Sequence, residues 1–241
     1  MYRNDALLLI GHGSARYPDA AATMHQHAEA LRQAALFAQV EVAVLHGAPS
    51  VDEALARITV PTLRVVPFFM EDGYFSNVAV PRALAGRAAL ICPPVGAHDG
   101  IAGLIEHHAL AACDSLDVSS RSAAILVIGH GSASAPGRAL ALHRHASRIA
   151  ATELFARVET ACLEEAPFIA DALTALRAHP VVVIGFFANH GGHVRDDLPA
   201  LIAAELTARG HAAPTVRFHG CVTDDPAMLQ IIIDQAGSGD R

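Results

Sequence analysis

Two stretches of this chain repeat almost residue for residue at a fixed distance. Ala6-Leu7-Leu8-Leu9-Ile10-Gly11-His12-Gly13-Ser14 returns as Ala124-Ile125-Leu126-Val127-Ile128-Gly129-His130-Gly131-Ser132, an offset of 118 positions from His12 to His130. The same offset carries His25 to His143, His27 to His145, Phe37 to Phe155 and Val40 to Val158. It also carries Pro49 to Pro167, Phe68-Phe69 to Phe186-Phe187, and Pro81 to Pro199. An ungapped match from residue 6 to residue 81 marks an internal duplication, so whatever the chain folds into it must build twice.

Within each copy, short apolar runs alternate with helical patterns. Strands are expected near 6–10, 40–45, 63–69 and 88–92, and again near 123–128, 158–163, 180–187 and 214–218. Helices are expected near 19–36, 50–58, 77–86 and 99–112, and near 137–154, 167–178, 194–208 and 225–236. Ser50 with Glu53 three residues on reads as a capping box, and Pro136 suits the first turn of its helix. Alternating strands and helices imply parallel sheets joined by right-handed crossovers. The fold class is therefore α/β, in two tandem domains, 1–113 and 123–236, each a small parallel sheet flanked by helices. The polar stretch 114–122 is the linker between them.

Composition removes several alternatives. With 241 residues, 52% of them hydrophobic, the chain can bury its own core without staples. Its longest apolar runs are strand-sized, well short of the ~20 residues that span a bilayer. The start, Met1-Tyr2-Arg3-Asn4-Asp5, lacks a signal-peptide layout, so a cytoplasmic protein is expected, with no membrane partner. Cys92, Cys113, Cys162 and Cys221 are widely spaced and read as reduced thiols. A net charge of -7 with no basic run argues against nucleic acid. There are fifteen histidines, most expected to be solvated helix residues, so any ligand role needs a positional argument.

Gly-His-Gly-Ser follows a buried strand in each half, and its glycines permit a sharp turn and close approach of a ligand. That presents His12 and His130 at the carboxyl edge of a sheet, where open α/β folds bind ligands. The plainer alternative is a tight turn whose histidine bonds a neighbouring loop. Ser14 or Ser132 as a hydrolase nucleophile is weak, because the Gly-x-Ser-x-Gly elbow is absent. A phosphate loop lacks its Lys and glycine spacing.

The third strand separates the halves. Phe68-Phe69-Met70-Glu71-Asp72-Gly73-Tyr74-Phe75 stands where the second copy has Phe186-Phe187-Ala188-Asn189-His190-Gly191-Gly192-His193. His193 aligns with Phe75 and His190 with Asp72, so only the second half offers two histidines from neighbouring strand ends. Two imidazoles with open coordination positions suit cobalt, iron, nickel or zinc held transiently. An exposed residue at a helix N-terminus is the plainer alternative for His193. After the second strand, Glu164 aligns with His46 and is preferred over Glu165 as an acid that completes a metal site or takes a proton. Stabilising a helix dipole is the plainer role for Glu164. It is equally open to Asp196 and Asp197, which rank below Glu164.

These motifs together resemble the class II chelatases, and in particular the sirohydrochlorin chelatases of cobalamin and siroheme biosynthesis. Those residues are Gly-His-Gly-Ser after the first strand, an acid before a Pro-initiated helix, and Phe-Phe-x-x-x-Gly-Gly-His-x-x-x-Asp-Leu-Pro. The resemblance covers nearly the whole chain as two chelatase-like copies. It implies a cleft between the copies for a tetrapyrrole, and ATP-independent insertion of Co²⁺ or Fe²⁺ as the metal substrate, with no organic cofactor. Carried over residue by residue, it makes His130 and His193 the metal histidines and Glu164 the assisting acid. His190 remains an open alternative to Glu164. The first half keeps His12 but has Phe75 in place of the second histidine, so it is expected to be metal-incompetent. Tyr74 and Phe75 would then pack on a macrocycle face or in the core. Arg16, Arg138 and Arg195 are candidates for pairing with substrate carboxylates. Monomer and homodimer stay open. The competing reading is a non-catalytic metal or tetrapyrrole carrier.

Overall fold

In the computed structural model, which describes residues 2–14, 16–209 and 215–238, each copy of the repeat builds its own four-stranded parallel sheet. The first holds β1 (Asp5–Gly11), β2 (Gln39–Val44), β3 (Thr62–Pro67) and β4 (Leu90–Ile91), in the order β2-β1-β3-β4. The second holds β5 (Ala124–Gly129), β6 (Arg157–Cys162), β7 (Val181–Gly185) and β8 (Val216–Cys221), in the order β6-β5-β7-β8. The expected start of the last strand at residue 214 lies outside the described residues. β5 and β7 are buried along their whole length, and β1 from Ala6 onward, which is why they read as unbroken apolar runs. The order reverses direction at β1/β3 and at β5/β7, so each sheet has a switch point at the carboxyl ends of those strands.

The helices are α1 (Ala22–Ala34), α2 (Val51–Arg57), α3 (Val80–Ala83), α4 (Gly100–Ser115), α5 (Leu140–Ala150), α6 (Ile169–Ala175), α7 (Leu198–Arg209) and α8 (Met228–Ser238). Ser50 caps α2, accepting from the Glu53 N–H while the Glu53 carboxylate accepts from the Ser50 N–H. Pro136 departs from expectation. It lies in the loop before α5, whose first residue is Leu140.

The duplication extends to the buried faces. α1 buries Thr23, Met24, His27, Ala28 and Leu31, and α5 buries Ala141, Leu142, His145, Ala146 and Ile149, the same positions under the 118 offset. Burying Leu142 and Ile149 contributes roughly 1.5–3 kcal/mol each. His27 and His145 are thus not solvated helix residues. They sit in the core, their rings 6.0 Å from Phe68 and 5.7 Å from Phe186. The 3.6-residue period puts them on the inward stripe, and an aromatic neighbour receives them there.

Two compact units result. The first comprises the described residues of 1–98, 188–191 and 226–241, and the second those of 99–187 and 192–225. These differ from the stretches 1–113 and 123–236 in their helices, since α4 belongs to the second unit and α8 to the first. In the first unit the Gln235 amide donates to the Pro94 carbonyl (2.7 Å). Arg64 donates to the Ala236 carbonyl (2.7 Å) while pairing with Asp5 (2.6 Å) and lying over the Tyr2 ring. In the second, Asp99, just before α4, pairs with Arg148 (2.7 Å), and His108 of α4 pairs with Asp225 (2.9 Å). A repeat offset reveals equivalent segments but not which sheet a flanking helix covers.

Among the described residues the four cysteines are buried and none is joined in a disulfide. Burial, reinforced by the charge of Asp224, pushes the Cys221 thiol far up, so it stays protonated. No described helix is long and apolar enough to cross a membrane.

Candidate metal centre

At the switch point of the second unit, three loops meet. Strand register sets Gly129 opposite Cys162 and Ile128 opposite Gly185, so β5, β6 and β7 end almost level. The chain leaves β5 as His130-Gly131. The loop after β6 lies along it, with the Leu163 N–H donating to the Gly129 carbonyl (3.2 Å) and the Glu164 N–H to the His130 carbonyl (3.0 Å). Gly131 makes this approach possible. Its φ is +70°, and a Cβ there would stand 2.7 Å from both Cys162 Cβ and Glu165 Cγ.

His193 arrives from β7 through the Gly191-Gly192 turn, at the first residue of a π-helical turn, His193–Asp197, that runs straight into α7. The Leu198 N–H donates to the His193 carbonyl, five residues back. Pro199 explains the wide turn. It has no N–H to give the carbonyl four residues back, and its ring crowds that carbonyl. Single π turns of this kind are frequent at functional sites.

His130, Glu164 and His193 converge, all exposed, with ligand atoms within 4.8 Å of one another. The two imidazole rings meet edge to face at 4.6 Å, and His130 Nδ1 lies 3.7 Å from Glu164 Oε2. His193 Nδ1 is held by Asp197 Oδ2 at 2.8 Å, and His130 Nδ1 faces the Gly131 carbonyl at 3.1 Å. Each ring has its Nδ1 engaged in this way, which leaves Nε2 available as a donor atom. Two imidazole nitrogens and one carboxylate, open to solvent on one side, match a first-row divalent cation that must enter and leave. An open cavity of about 470 Å³ adjoins the cluster, lined by Leu163, Glu164, His193, Asp197, Ala200 and Leu201.

The two adjacent acids have different fates. Glu164 faces the cluster, whereas Glu165 is buried and its Oε2 accepts from the Gly137 N–H, clasping the loop after β5. Asp197, ranked below Glu164 from sequence, is the partner that orients His193. Its i, i+4 spacing on a helix was the available signal. His190 is not part of the cluster. Its N–H donates to the Ala20 carbonyl in the first unit. The Ser14 and Ser132 hydroxyls accept from the N–H groups of Tyr17 and Ala135, so both serve as turn caps. Arg16, Arg138 and Arg195 are exposed.

The CbiX family model matches residues 6–112 and again 124–238. The chain belongs to the CbiX family. This agrees with the chelatase resemblance of its motifs. A relative from Halobacterium salinarum, named probable sirohydrochlorin cobaltochelatase, is 25% identical over 96% of this chain and 90% of its own. Among solved structures, a multi-domain Deinococcus radiodurans protein with structural similarity to chelatases aligns with a TM-score of 0.81 and 26% identity. The alignment covers 97% of this chain and 54% of that one, so the present chain spans about half its length. SirB from Bacillus subtilis, solved with Fe³⁺, aligns with a TM-score of 0.80 at 16% identity, over 99% of this chain and 96% of its own, and shows the shared fold.

Within this CbiX-family chain the first unit repeats the scaffold with other side chains. The Leu45 N–H donates to the Gly11 carbonyl (3.0 Å) and the His46 N–H to the His12 carbonyl (2.9 Å), reproducing the brace of the second unit. Phe75 opens a π turn, Phe75–Ala79, ahead of Pro81 as His193 does ahead of Pro199. Its ring meets His12 at 4.7 Å and stacks on Phe69 at 5.7 Å, while Tyr74 is 59% exposed. Tyr74 is therefore not a core residue.

Proposed function

We propose that this CbiX-family chain inserts a divalent metal, cobalt or iron, into sirohydrochlorin or a closely related tetrapyrrole, in the cytoplasm and without ATP. The observation that carries the reading is the convergence of His130, Glu164 and His193 on one open edge. The name of the halobacterial relative supports cobalt, and the Fe³⁺-bound relative supports iron.

In this reading His130 and His193 replace part of the water shell of the incoming cation and hold it through their Nε2 atoms. Asp197 fixes the His193 tautomer by accepting from Nδ1. Insertion exchanges two pyrrole N–H protons for one M²⁺, so two protons must leave. Glu164, exposed and 3.7 Å from His130, accepts the two protons one after the other as the metal–nitrogen bonds form and releases each to solvent. The apolar stretch Leu163, Ala200 and Leu201 beside the cluster offers a surface for the edge of a macrocycle. Exposed Arg138 and Arg195 are available to its carboxylates.

The test is anaerobic absorbance of sirohydrochlorin with Co²⁺ or Fe²⁺ and no nucleotide. The metallated spectrum should appear faster than in the protein-free control. Pigment and metal bound at the uncatalysed rate would overturn the enzyme and leave a carrier.

A further inference from the structure

The first unit lacks the second histidine at the position of His193, yet it is not without a histidine pair. His46 occupies the place of Glu164, and its ring meets that of His12 edge to face at 4.9 Å and 74°. In the second unit the rings of His130 and His193, a pair made from other positions, stand at 4.6 Å and 88°. We propose that His12 and His46 form a second transition-metal site, one that takes a late first-row divalent cation such as Co²⁺, Ni²⁺ or Zn²⁺.

Three observations carry this. Both imidazoles are exposed at the carboxyl edge of the first sheet, His12 directly after β1 and His46 two residues after β2. Their loops are locked together by the Leu45–Gly11 and His46–His12 hydrogen bonds, so the pair is preorganised. Gly13, with φ +76°, keeps the loops in contact, since a Cβ there would stand 2.2 Å from the His46 carbonyl oxygen. The second half of the repeat makes its histidine pair from the β5 and β7 loops. The first half makes one from the β1 and β2 loops.

The donor set fixes the class of ion. Two imidazoles, with no carboxylate grouped with them among the described residues, suit borderline cations and not Mg²⁺, Ca²⁺ or Mn²⁺, which prefer oxygen. Phe75, 4.7 Å from His12, closes the third side with an apolar ring, so this site binds more weakly than one with a carboxylate there. The proposal is independent of metal insertion and requires only that the first unit folds as described.

Equilibrium dialysis of the full-length chain against Co²⁺ tests it. The wild type should retain about two equivalents, and His130→Ala/His193→Ala about one. Adding His46→Ala, or separately His12→Ala, to that double variant should weaken the remaining ion at least ~10-fold. Adding His107→Ala, at an exposed histidine on α4, should leave it unchanged. A His130→Ala/His193→Ala chain that holds no ion while the wild type holds one would overturn the second site. So would a residual ion that survives both His46→Ala and His12→Ala. The difference between wild type and double variant reports the centre of the second unit separately, so the two claims fail independently.

Discussion

The ends of β1 and β5 carry the same Gly-His-Gly-Ser turn on the same backbone brace, yet they present different chemistry. Around His130 stand a carboxylate, Glu164, and an imidazole, His193, which Asp197 orients. Around His12 stand His46 and the ring of Phe75, and the position equivalent to Asp197 is Ala79. Loop contacts, π turn and following proline persist in both units, so the scaffold is indifferent to its cargo. Three side chains decide whether an edge offers a charged three-ligand centre or a neutral pair walled by a phenyl ring. Ligands at strand ends can be exchanged at small cost to folding, because none of them belongs to the core.

Converting one edge into the other carries the largest expected effect. His46→Glu/Phe75→His/Ala79→Asp gives the first unit the donor set of the second. Its Co²⁺ affinity, measured in a His130→Ala/His193→Ala background, should rise by about 100-fold over the unconverted edge, given that outer-shell partners alone contribute 10–100-fold. No rise would mean that the backbones differ in a way the shared brace does not reveal. Next come the turns. Gly13→Ala and Gly131→Ala should each destabilise by about 1–3 kcal/mol through strained φ and contact. Gly13→Ala should cost more, since its Cβ meets a main-chain oxygen at 2.2 Å and that of Gly131 meets side chains at 2.7 Å. Thermal midpoints of the two variants check the order.

A smaller effect separates ligand from positioner. Asp197→Asn should weaken Co²⁺ binding by about 10-fold while leaving the number of ions bound unchanged, as titration calorimetry would register. The smallest effect concerns the outer strands. β8 carries His219, which the two-residue β4 has no room to match. Burial first, then the charges of His108 and Arg217, hold the His219 imidazole below its ordinary 6.5. The folded chain therefore resists a proton that the unfolded chain accepts. Its stability contribution is full above pH 6.5 and is lost as pH falls through the folded value. His219→Gln should flatten the acid side of the midpoint-versus-pH curve, in a scan that also follows the neighbouring His108–Asp225 pair.

Much of this was legible in the sequence because it lay in local pattern. The duplication, the buried central strands, the Ser50–Glu53 cap and the strand-end positions of His130 and His193 all follow from offset, period and turn chemistry. What was not legible depends on neighbours distant in sequence. No period tells that α4 covers the second sheet and α8 the first. The repeat offset favours Glu164 over Glu165, but neither letter tells that Glu165 turns inward to the Gly137 N–H. His27 and His145 looked like surface residues until Phe68 and Phe186 were placed against them. The pair of His12 with His46 was hidden because the alignment matches His46 to an acid.

The most direct test of the account is Co²⁺ insertion into sirohydrochlorin under anaerobic conditions, comparing wild type, His130→Ala, His193→Ala and the exposed-residue control His107→Ala. Both centre variants should fall by at least ~100-fold, beyond what loss of an outer-shell partner causes, while the control keeps the wild-type rate. A His193→Ala chain that turns over like wild type would contradict the assignment of the reaction to the second unit.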